Sequence, residues 1–197
     1  LDHKRMITCR LKGGGQVRKD AFALVVDCAH FPMNNFVASH DFAAECLAAV
    51  TLLFDQANAL GIDPTRISIS GSSAGAHLAA MTCLSLGAQH CPCAVILLSG
   101  VYELEPLVGT YINEPLKLTL KDAQRNSPAL KDLSDFPRAL LAFGEIEPLE
   151  FKRQSRDFAA LLPHATAIEI PNRNHFDIVH DLCNGSALAQ LVSALSR

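Results

Sequence analysis

A serine between two glycines is the feature of this sequence that most directly suggests chemistry. Gly71-Ser72-Ser73-Ala74-Gly75 fits the pattern Gly-x-Ser-x-Gly, follows the β-branched run 66–70 and precedes an alanine-rich helical stretch. A strand, a sharp turn and a helix in this order form a nucleophile elbow, in which a strained turn exposes the serine hydroxyl. The N–H groups at the start of the helix favour a developing negative charge there. The pattern predicts Ser73 as a nucleophile; the alternative is an ordinary Gly/Ser-rich loop.

A nucleophilic serine needs a base, and the sequence offers eight histidines for that role. Where such an elbow occurs, the catalytic groups follow along the chain in the order serine, acid, histidine, each just after a strand. His175 lies after the last predicted strand and before the final helix, where the base belongs. His77 lies one helical turn after Ser73 and leaves the turn in the wrong direction to reach the hydroxyl, so we interpret it as structural.

The acid that orients the histidine should follow the predicted strand Ala139–Phe143. Glu145, Glu147 and Glu150 are the candidates. Spacing favours Glu147, because the loop should turn back toward the histidine a few residues after the strand. Glu145 is nearer the strand end and stays open, whereas Glu150 falls in the following helix. The alternative for both of the first two is a solvated surface carboxylate.

Strand and helix patterns alternate along the chain, which predicts an α/β fold with a mostly parallel sheet flanked by helices. We expect a single domain over residues 1–197, in which the aperiodic, proline-bearing stretch of about 101–135 forms a cap-like insert. The predicted strands are Phe22–Cys28, the run ending at Ser70, Cys93–Leu98, Ala139–Phe143 and Thr166–Ile170, and the predicted helices begin near residues 41, 74, 149 and 178.

Composition narrows the class of partner. The 197 residues carry a net charge of −3 without a basic stripe, which argues against nucleic acid, and no apolar run suggests a membrane span. The seven cysteines are an odd number and mostly lie in apolar patterns, which predicts reduced thiols in a cytoplasmic protein. Cys91-Pro92-Cys93 has no second pair at metal-binding spacing, so we expect no metal. A small-molecule substrate is the expected partner, and homodimerisation stays open.

Five segments together resemble the arylformamidase, or kynurenine formamidase, family of α/β-hydrolases. The resemblance extends over about residues 40–197 and includes the nucleophile motif, the segment after the next strand, part of a cap, the acid loop and the histidine loop. The segments are Gly71–Ala80, Leu98–Leu107, Tyr111–Leu116, Glu147–Ser155 and Asn174–Val179.

The resemblance implies a Ser73–His175–Glu147 triad, with glutamate in a slot where some relatives carry aspartate. It also implies hydrolysis of N-formylkynurenine or a related aryl formamide without a metal or cofactor, with the Ala74 N–H as an oxyanion donor. Tyr102 and Asn113, in the cap, are expected to contact substrate. A general carboxylesterase and a non-catalytic binding protein on the same fold remain alternatives.

The sequence departs from this family at the oxyanion loop. The family carries His-Gly-Gly and an aromatic residue after an early strand, and no such motif occurs here. We expect it to lie upstream of Leu1, because the chain does not begin with methionine, or to be absent from the protein. The run Gly13-Gly14-Gly15 is the alternative donor loop, and its other interpretation is a plain flexible loop.

Overall fold

Five parallel strands form the sheet, as the alternation of strand and helix patterns predicts. The structure is a computed structural model and describes residues 22–26, 40–182 and 185–195. Within this part of the chain the strands lie side by side in sequence order, each parallel to the next. Their carboxyl ends therefore share one edge, the edge where α/β proteins place their sites. The strands are β1 (Phe22–Val26), β2 (Ile67–Ser72), β3 (Ala94–Leu98), β4 (Ala139–Ile146) and β5 (Ala165–Asn174).

Helices cover both faces of the sheet. They are α1 (His40–Asp55), α2 (Ala74–Ser85), α3 (Asn113–Leu116), α4 (Leu120–Arg125), α5 (Leu149–Leu161) and α6 (Ala187–Leu195). In β3, Val95 and Leu97 pack with side chains of α1, α2 and α5, whereas Ile96 and Leu98 belong to a second cluster that contains Leu188 of α6. A strand buried on both faces must be apolar at every position, which explains its unbroken hydrophobic sequence.

The last strand is longer than its sequence pattern predicts. We expected it to end at Ile170, before Pro171, but β5 continues to Asn174. The register with β4 shifts between Gly144 and Ile146, where β5 contributes two extra residues. Pro171 falls in this bulge, and a bulge tolerates a residue without an N–H group. The prediction was wrong because proline ends a regular strand but not an irregular one.

The connection between β3 and β4 contains the segment predicted as a cap-like insert. It holds α3, α4 and short turns of 3₁₀ helix at Glu105–Leu107 and Pro128–Leu130. A capping box starts α4, in which Thr119 and Asp122 satisfy each other's backbone N–H groups. The Ala129 N–H donates to the Tyr102 carbonyl and so ties the end of this connection to its beginning. Its description as a cap within a single domain stays a prediction.

The cysteines of the described residues are all free thiols. Cys46 and Cys83 are buried, and burial raises the pKa of the Cys46 thiol to about 11, whereas Cys91 is exposed. Residues 22–26, 40–182 and 185–195 contain no group of three or more His, Cys, Asp or Glu side chains arranged to hold a metal ion. None of the helices found there is both long and apolar enough to cross a bilayer. The glycine run 13–15 lies outside the described residues.

Candidate active site

Ser73 occupies the turn between β2 and α2 in a strained backbone conformation. Its φ of 56° and ψ of −122° lie where non-glycine residues rarely occur, a type of strain that concentrates at functional sites. A Cβ atom on Gly71 would lie 2.1 Å from the Gly75 carbonyl oxygen, so only glycine allows the strand and the helix to approach this closely. The Ser73 N–H donates to the Leu98 carbonyl at 2.8 Å. The local structure is that of a nucleophile elbow.

The imidazole of His175 joins Ser73 to Glu147. Its Nε2 lies 2.9 Å from the Ser73 Oγ, and its Nδ1 lies 3.2 Å from the Glu147 Oε2. With the proton on Nδ1, the ring donates to the carboxylate and accepts from the serine hydroxyl, which is the tautomer that this network favours. The three side chains come from the carboxyl ends of β2, β4 and β5. Such a relay can remove a proton from the serine as its oxygen attacks a carbonyl carbon.

Glu147 is 8% exposed, and each of its carboxylate oxygens has its own partners. Oε1 accepts from the Ser99 hydroxyl at 2.6 Å and from the Gly144 N–H at 2.7 Å, while Oε2 faces His175. Burial by itself would raise the pKa of this carboxyl, but the hydrogen bonds from His175, Ser99 and Gly144 outweigh it and lower the pKa. Glu147 is therefore ionised at neutral pH and can stabilise a cationic His175.

The two other candidate acids have different partners. Glu145 accepts from the Asn172 N–H at 2.9 Å, within the bulge of β5. Glu150 forms an exposed ion pair with Arg153, which holds the pKa of the Glu150 carboxyl below its usual range. Of the three acids that spacing allowed, Glu147 is the one that the fold brings to the histidine.

The loop that carries His175 is held by its neighbours. Asn174 and Asp177 exchange hydrogen bonds, with the Asn174 backbone and side-chain amides donating to the two Asp177 carboxylate oxygens. The rings of Phe151 and Phe176 lie against the imidazole, with centroids 4.4 and 5.4 Å from its own. The polar bonds fix the backbone of the loop and the aromatic rings limit rotation of the imidazole. Phe176 is nevertheless 83% exposed.

Arg173, just before this loop, forms a two-point ion pair with Asp181 at 2.7 and 2.8 Å. The pairing raises the pKa of the guanidinium. It links the end of β5 to the 3₁₀ turn Ile178–Leu182, so both sides of the histidine loop are anchored.

Ala74, predicted as an oxyanion donor, is the first residue of α2. The N–H groups of the first turn have no acceptor within the helix, and they lie at its positive end. The Ala74 N–H therefore suits a negative charge beside Ser73. The alternative donor loop, Gly13–Gly15, lies outside the described residues.

The structure contradicts the predicted substrate contacts of Tyr102 and Asn113. Tyr102 is 1% exposed and stacks on Phe158 at 4.3 Å inside the core, so no surface of its ring is open to a substrate. The side-chain amide of Asn113 donates to the Val108 and Leu118 carbonyls and accepts from the Leu118 N–H. Asn113 braces the connection between β3 and β4, and its amide is used in doing so.

His77 has the structural position that its direction predicted. Its Nε2 contacts the Asn126 carbonyl at 2.7 Å, which links α2 to the end of α4. Burial lowers the pKa of His77 and outweighs the opposite effect of that hydrogen bond, so the ring is neutral. The geometry gives His77 no part in the relay of Ser73.

Sequence reasoning did not single out Ser99 and Gly144, the two other donors to Glu147. Both are small residues at the carboxyl ends of buried strands beside the elbow, and that position is the only signal that could have identified them. Gly144 also allows a close approach, because a Cβ atom there would lie 2.2 Å from the Arg173 carbonyl oxygen.

Two fish proteins resemble this chain in sequence. Kynurenine formamidase of Salmo salar is 37% identical over 131 residues, which is 59% of this chain and 45% of that protein. Kynurenine formamidase of Danio rerio is 35% identical over 133 residues, which is 61% of this chain and 45% of that protein. The chain thus spans about half the length of the curated relatives it matches. These similarities confirm the resemblance to arylformamidases that the motifs indicated.

Solved structures and a family model define the fold. An esterase from the archaeon Pyrobaculum calidifontis has a TM-score of 0.65 at 20% identity, over 78% of this chain and 60% of its own. Carboxyl esterase 2 from the fungus Tuber melanosporum has a TM-score of 0.62 at 22% identity, over 78% and 60%. The family model described as alpha/beta hydrolase fold matches residues 17–175, which is most of the sequence. This chain therefore belongs to the alpha/beta hydrolase fold family.

Proposed function

We propose that this protein hydrolyses the formamide bond of N-formylkynurenine or a related aryl formamide. The observation that carries the proposal is the relay from Ser73 through His175 to Glu147 at a nucleophile elbow. The two relatives named kynurenine formamidase support the choice of bond and substrate class. A buried, ionised carboxylate, an imidazole and a serine hydroxyl in this order are the groups that acyl transfer requires.

The reaction follows from the position of each group. As the Ser73 Oγ attacks the formyl carbon, His175 Nε2 takes the hydroxyl proton, and Glu147 stabilises the resulting imidazolium. The Ala74 N–H donates to the oxygen that becomes negative. His175 then gives the proton to the departing aniline nitrogen, and the carbon–nitrogen bond breaks. Water, activated by the same histidine, attacks the formyl-enzyme, which releases formate and restores Ser73.

The surroundings of His175 support an aromatic leaving group. The nitrogen that His175 protonates must come within hydrogen-bond distance of Nε2, so a ring attached to that nitrogen lies beside the imidazole. Phe176 contacts the imidazole edge-to-face and is largely exposed, so its ring offers an apolar surface at this point. Contacts between aromatic rings contribute about 0.5–1.5 kcal/mol beyond the burial of their area.

The test measures kynurenine released from N-formylkynurenine by the full 197-residue chain, with p-nitrophenyl acetate as a comparison substrate. We expect a higher kcat/KM for the formamide, and its loss in Ser73→Ala. Ser85→Ala is the matched control, because Ser85 lies at the other end of α2 with its hydroxyl on the Met81 carbonyl. Rapid hydrolysis of the ester alone would favour a general carboxylesterase. No turnover of either substrate would favour a binding protein.

A further inference from the structure

We propose that Ser99 is a positioning residue for the triad, acting through Glu147; the inference rests on the proposed function and deepens it. Ser99 follows β3 directly and is 0% exposed. Its hydroxyl donates to the Glu147 Oε1 at 2.6 Å, a short distance typical of a bond to an ionised acceptor. Ser99 does not touch His175 or Ser73 in this network, so any effect on the reaction passes through the carboxylate.

The backbone at Ser99 is unusual. Its φ of 47° lies in the left-handed region, which L-residues other than asparagine and aspartate seldom adopt. The conformation is held by the Ser99 N–H, which donates to the Ala142 carbonyl of β4 at 2.8 Å. Glycine would adopt this φ without strain but would bring no hydroxyl. A strained serine therefore stands where a glycine would satisfy the backbone alone, and its side chain points to the reason.

The hydrogen bonds to Glu147 divide the work between its two oxygens. Ser99 and the Gly144 N–H both donate to Oε1, which leaves Oε2 for His175. A glutamate side chain has one more rotatable bond than an aspartate, so its carboxylate needs more restraint to present one oxygen at a fixed angle. The Gly144 donor belongs to the backbone and cannot follow a rotating carboxylate. Ser99 supplies the second point that fixes the plane of the carboxylate.

A purely structural explanation makes a different prediction. If Ser99 only satisfied a buried carboxylate, its loss would lower stability and leave turnover of the folded protein unchanged. If Ser99 positions Glu147, its loss lowers kcat with little change in KM, and only while Glu147 is present. A double-mutant cycle separates the two explanations, because residues that act as a unit are not additive.

The experiment compares the wild type with Ser99→Ala, Ser99→Gly, Glu147→Ala and the double variant Ser99→Ala/Glu147→Ala. Ser99→Gly removes the hydroxyl while relieving the backbone strain, so it provides a folded variant if alanine is not tolerated. Ser127→Ala is the matched control, because Ser127 is equally buried and its hydroxyl bonds backbone groups of Leu104 and Ala123 only. Each protein is assayed for kcat and KM with N-formylkynurenine and for the rate at which a fluorophosphonate modifies Ser73.

We expect loss of the Ser99 hydroxyl to lower kcat and the modification rate by about tenfold with KM within about twofold, the size expected for one charge-assisted hydrogen bond. In the Glu147→Ala background the same change should alter either rate by less than about twofold. Unchanged rates in folded Ser99 variants, an equal loss in both backgrounds, or the same loss in Ser127→Ala would overturn the proposal.

The second assay separates this inference from the choice of substrate. A wild type that reacts with the fluorophosphonate but leaves N-formylkynurenine intact contradicts the proposed substrate, and the modification rates still decide the role of Ser99. A wild type that does not react contradicts both, because Ser99 would then have no activated serine to support.

Discussion

At the residue scale, the charge of Glu147 is the property on which the relay depends most. Glu147→Gln keeps the shape of the side chain but introduces an amide that can donate to His175 and favour the wrong tautomer. We expect kcat to fall by about 10³–10⁴-fold, as when the acid of a serine triad becomes an amide. Steady-state turnover of N-formylkynurenine measures the loss. Glu145→Gln is the control, because Glu145 bonds the Asn172 N–H, and a comparable loss in that variant would contradict the assignment.

Glu147 should also make stability depend on pH. Its pKa in the folded protein lies below the usual value of 4.5, so the unfolded state binds more protons between the two values. The stability that Glu147 contributes is present above pH 4.5 and is lost as the pH falls through the folded pKa. Urea unfolding of the wild type and Glu147→Gln from about pH 6 to 3 should show a steeper acid decline in the wild type.

Other carboxyls with lowered pKa values are common to both proteins and cancel in this comparison. They include Asp63, Asp122 and Asp132, which accept hydrogen bonds from nearby Thr or Ser residues. Parallel curves for the two proteins would mean that the Glu147 carboxylate gains nothing from its partners.

Phe176 is expected to recognise the aryl leaving group. Phe176→Ala should lower kcat/KM for phenyl acetate by about 2- to 10-fold, the amount that one aromatic contact contributes. The value for ethyl acetate, which has the same acyl group, should change little. Leu149→Ala is the control, because Leu149 is equally exposed but contributes no ring beside His175. An equal loss for both esters would show that Phe176 serves the histidine and not the substrate.

Sequence reasoning at this scale identified Ser73 and His175 from residue type and order, and left the acid open until the family resemblance favoured Glu147. It was wrong about Tyr102 and Asn113, because sequence does not show which way a side chain in an irregular segment points. The ring of Tyr102 enters the core and the amide of Asn113 turns back on its own loop. Ser99 was not identified, because its hydroxyl gains meaning only from a residue 48 positions away.

At the element scale, the elbow requires β2 and α2 to touch at Gly71. A Cβ atom there would lie 2.1 Å from the Gly75 carbonyl oxygen and 2.4 Å from its carbon, and neither backbone atom can move alone. We expect Gly71→Ala to lower the free energy of unfolding by about 2–4 kcal/mol and to abolish turnover. Urea unfolding gives the first quantity.

Gly87, just after α2, provides the control for this substitution. A Cβ atom at Gly87 meets nothing within 4 Å, and its φ of −71° suits any residue. Gly87→Ala should therefore change stability by less than about 0.5 kcal/mol. If Gly71→Ala were as stable as Gly87→Ala, the close contact of strand and helix would not be a property of the elbow.

The elements themselves were largely predictable, for physical reasons. Strands buried on both faces have continuous apolar sequences, as in Ala94–Leu98, and α5 and α6 have an apolar side. The end of β5 was not predictable, because whether Pro171 stops a strand depends on the bulge that β4 imposes. The short helices between β3 and β4 were missed because four to six residues do not show a helical period.

At the scale of the whole molecule, parallel packing in sequence order brings three distant loops to one edge of the sheet. Ser73, Glu147 and His175 follow β2, β4 and β5, and β3 between them contributes Ser99. The sequence gives the order of these residues but not their separation, because distances depend on how strands are arranged in the sheet. The fold converts an order along the chain into a connected relay.

The most direct test of this relay is the site at which a fluorophosphonate modifies the protein. The account predicts one adduct per chain, located on Ser73 by peptide mass mapping, absent in Ser73→Ala and formed far more slowly in His175→Ala. Modification at another residue, or a rate in His175→Ala equal to that of the wild type, would contradict it.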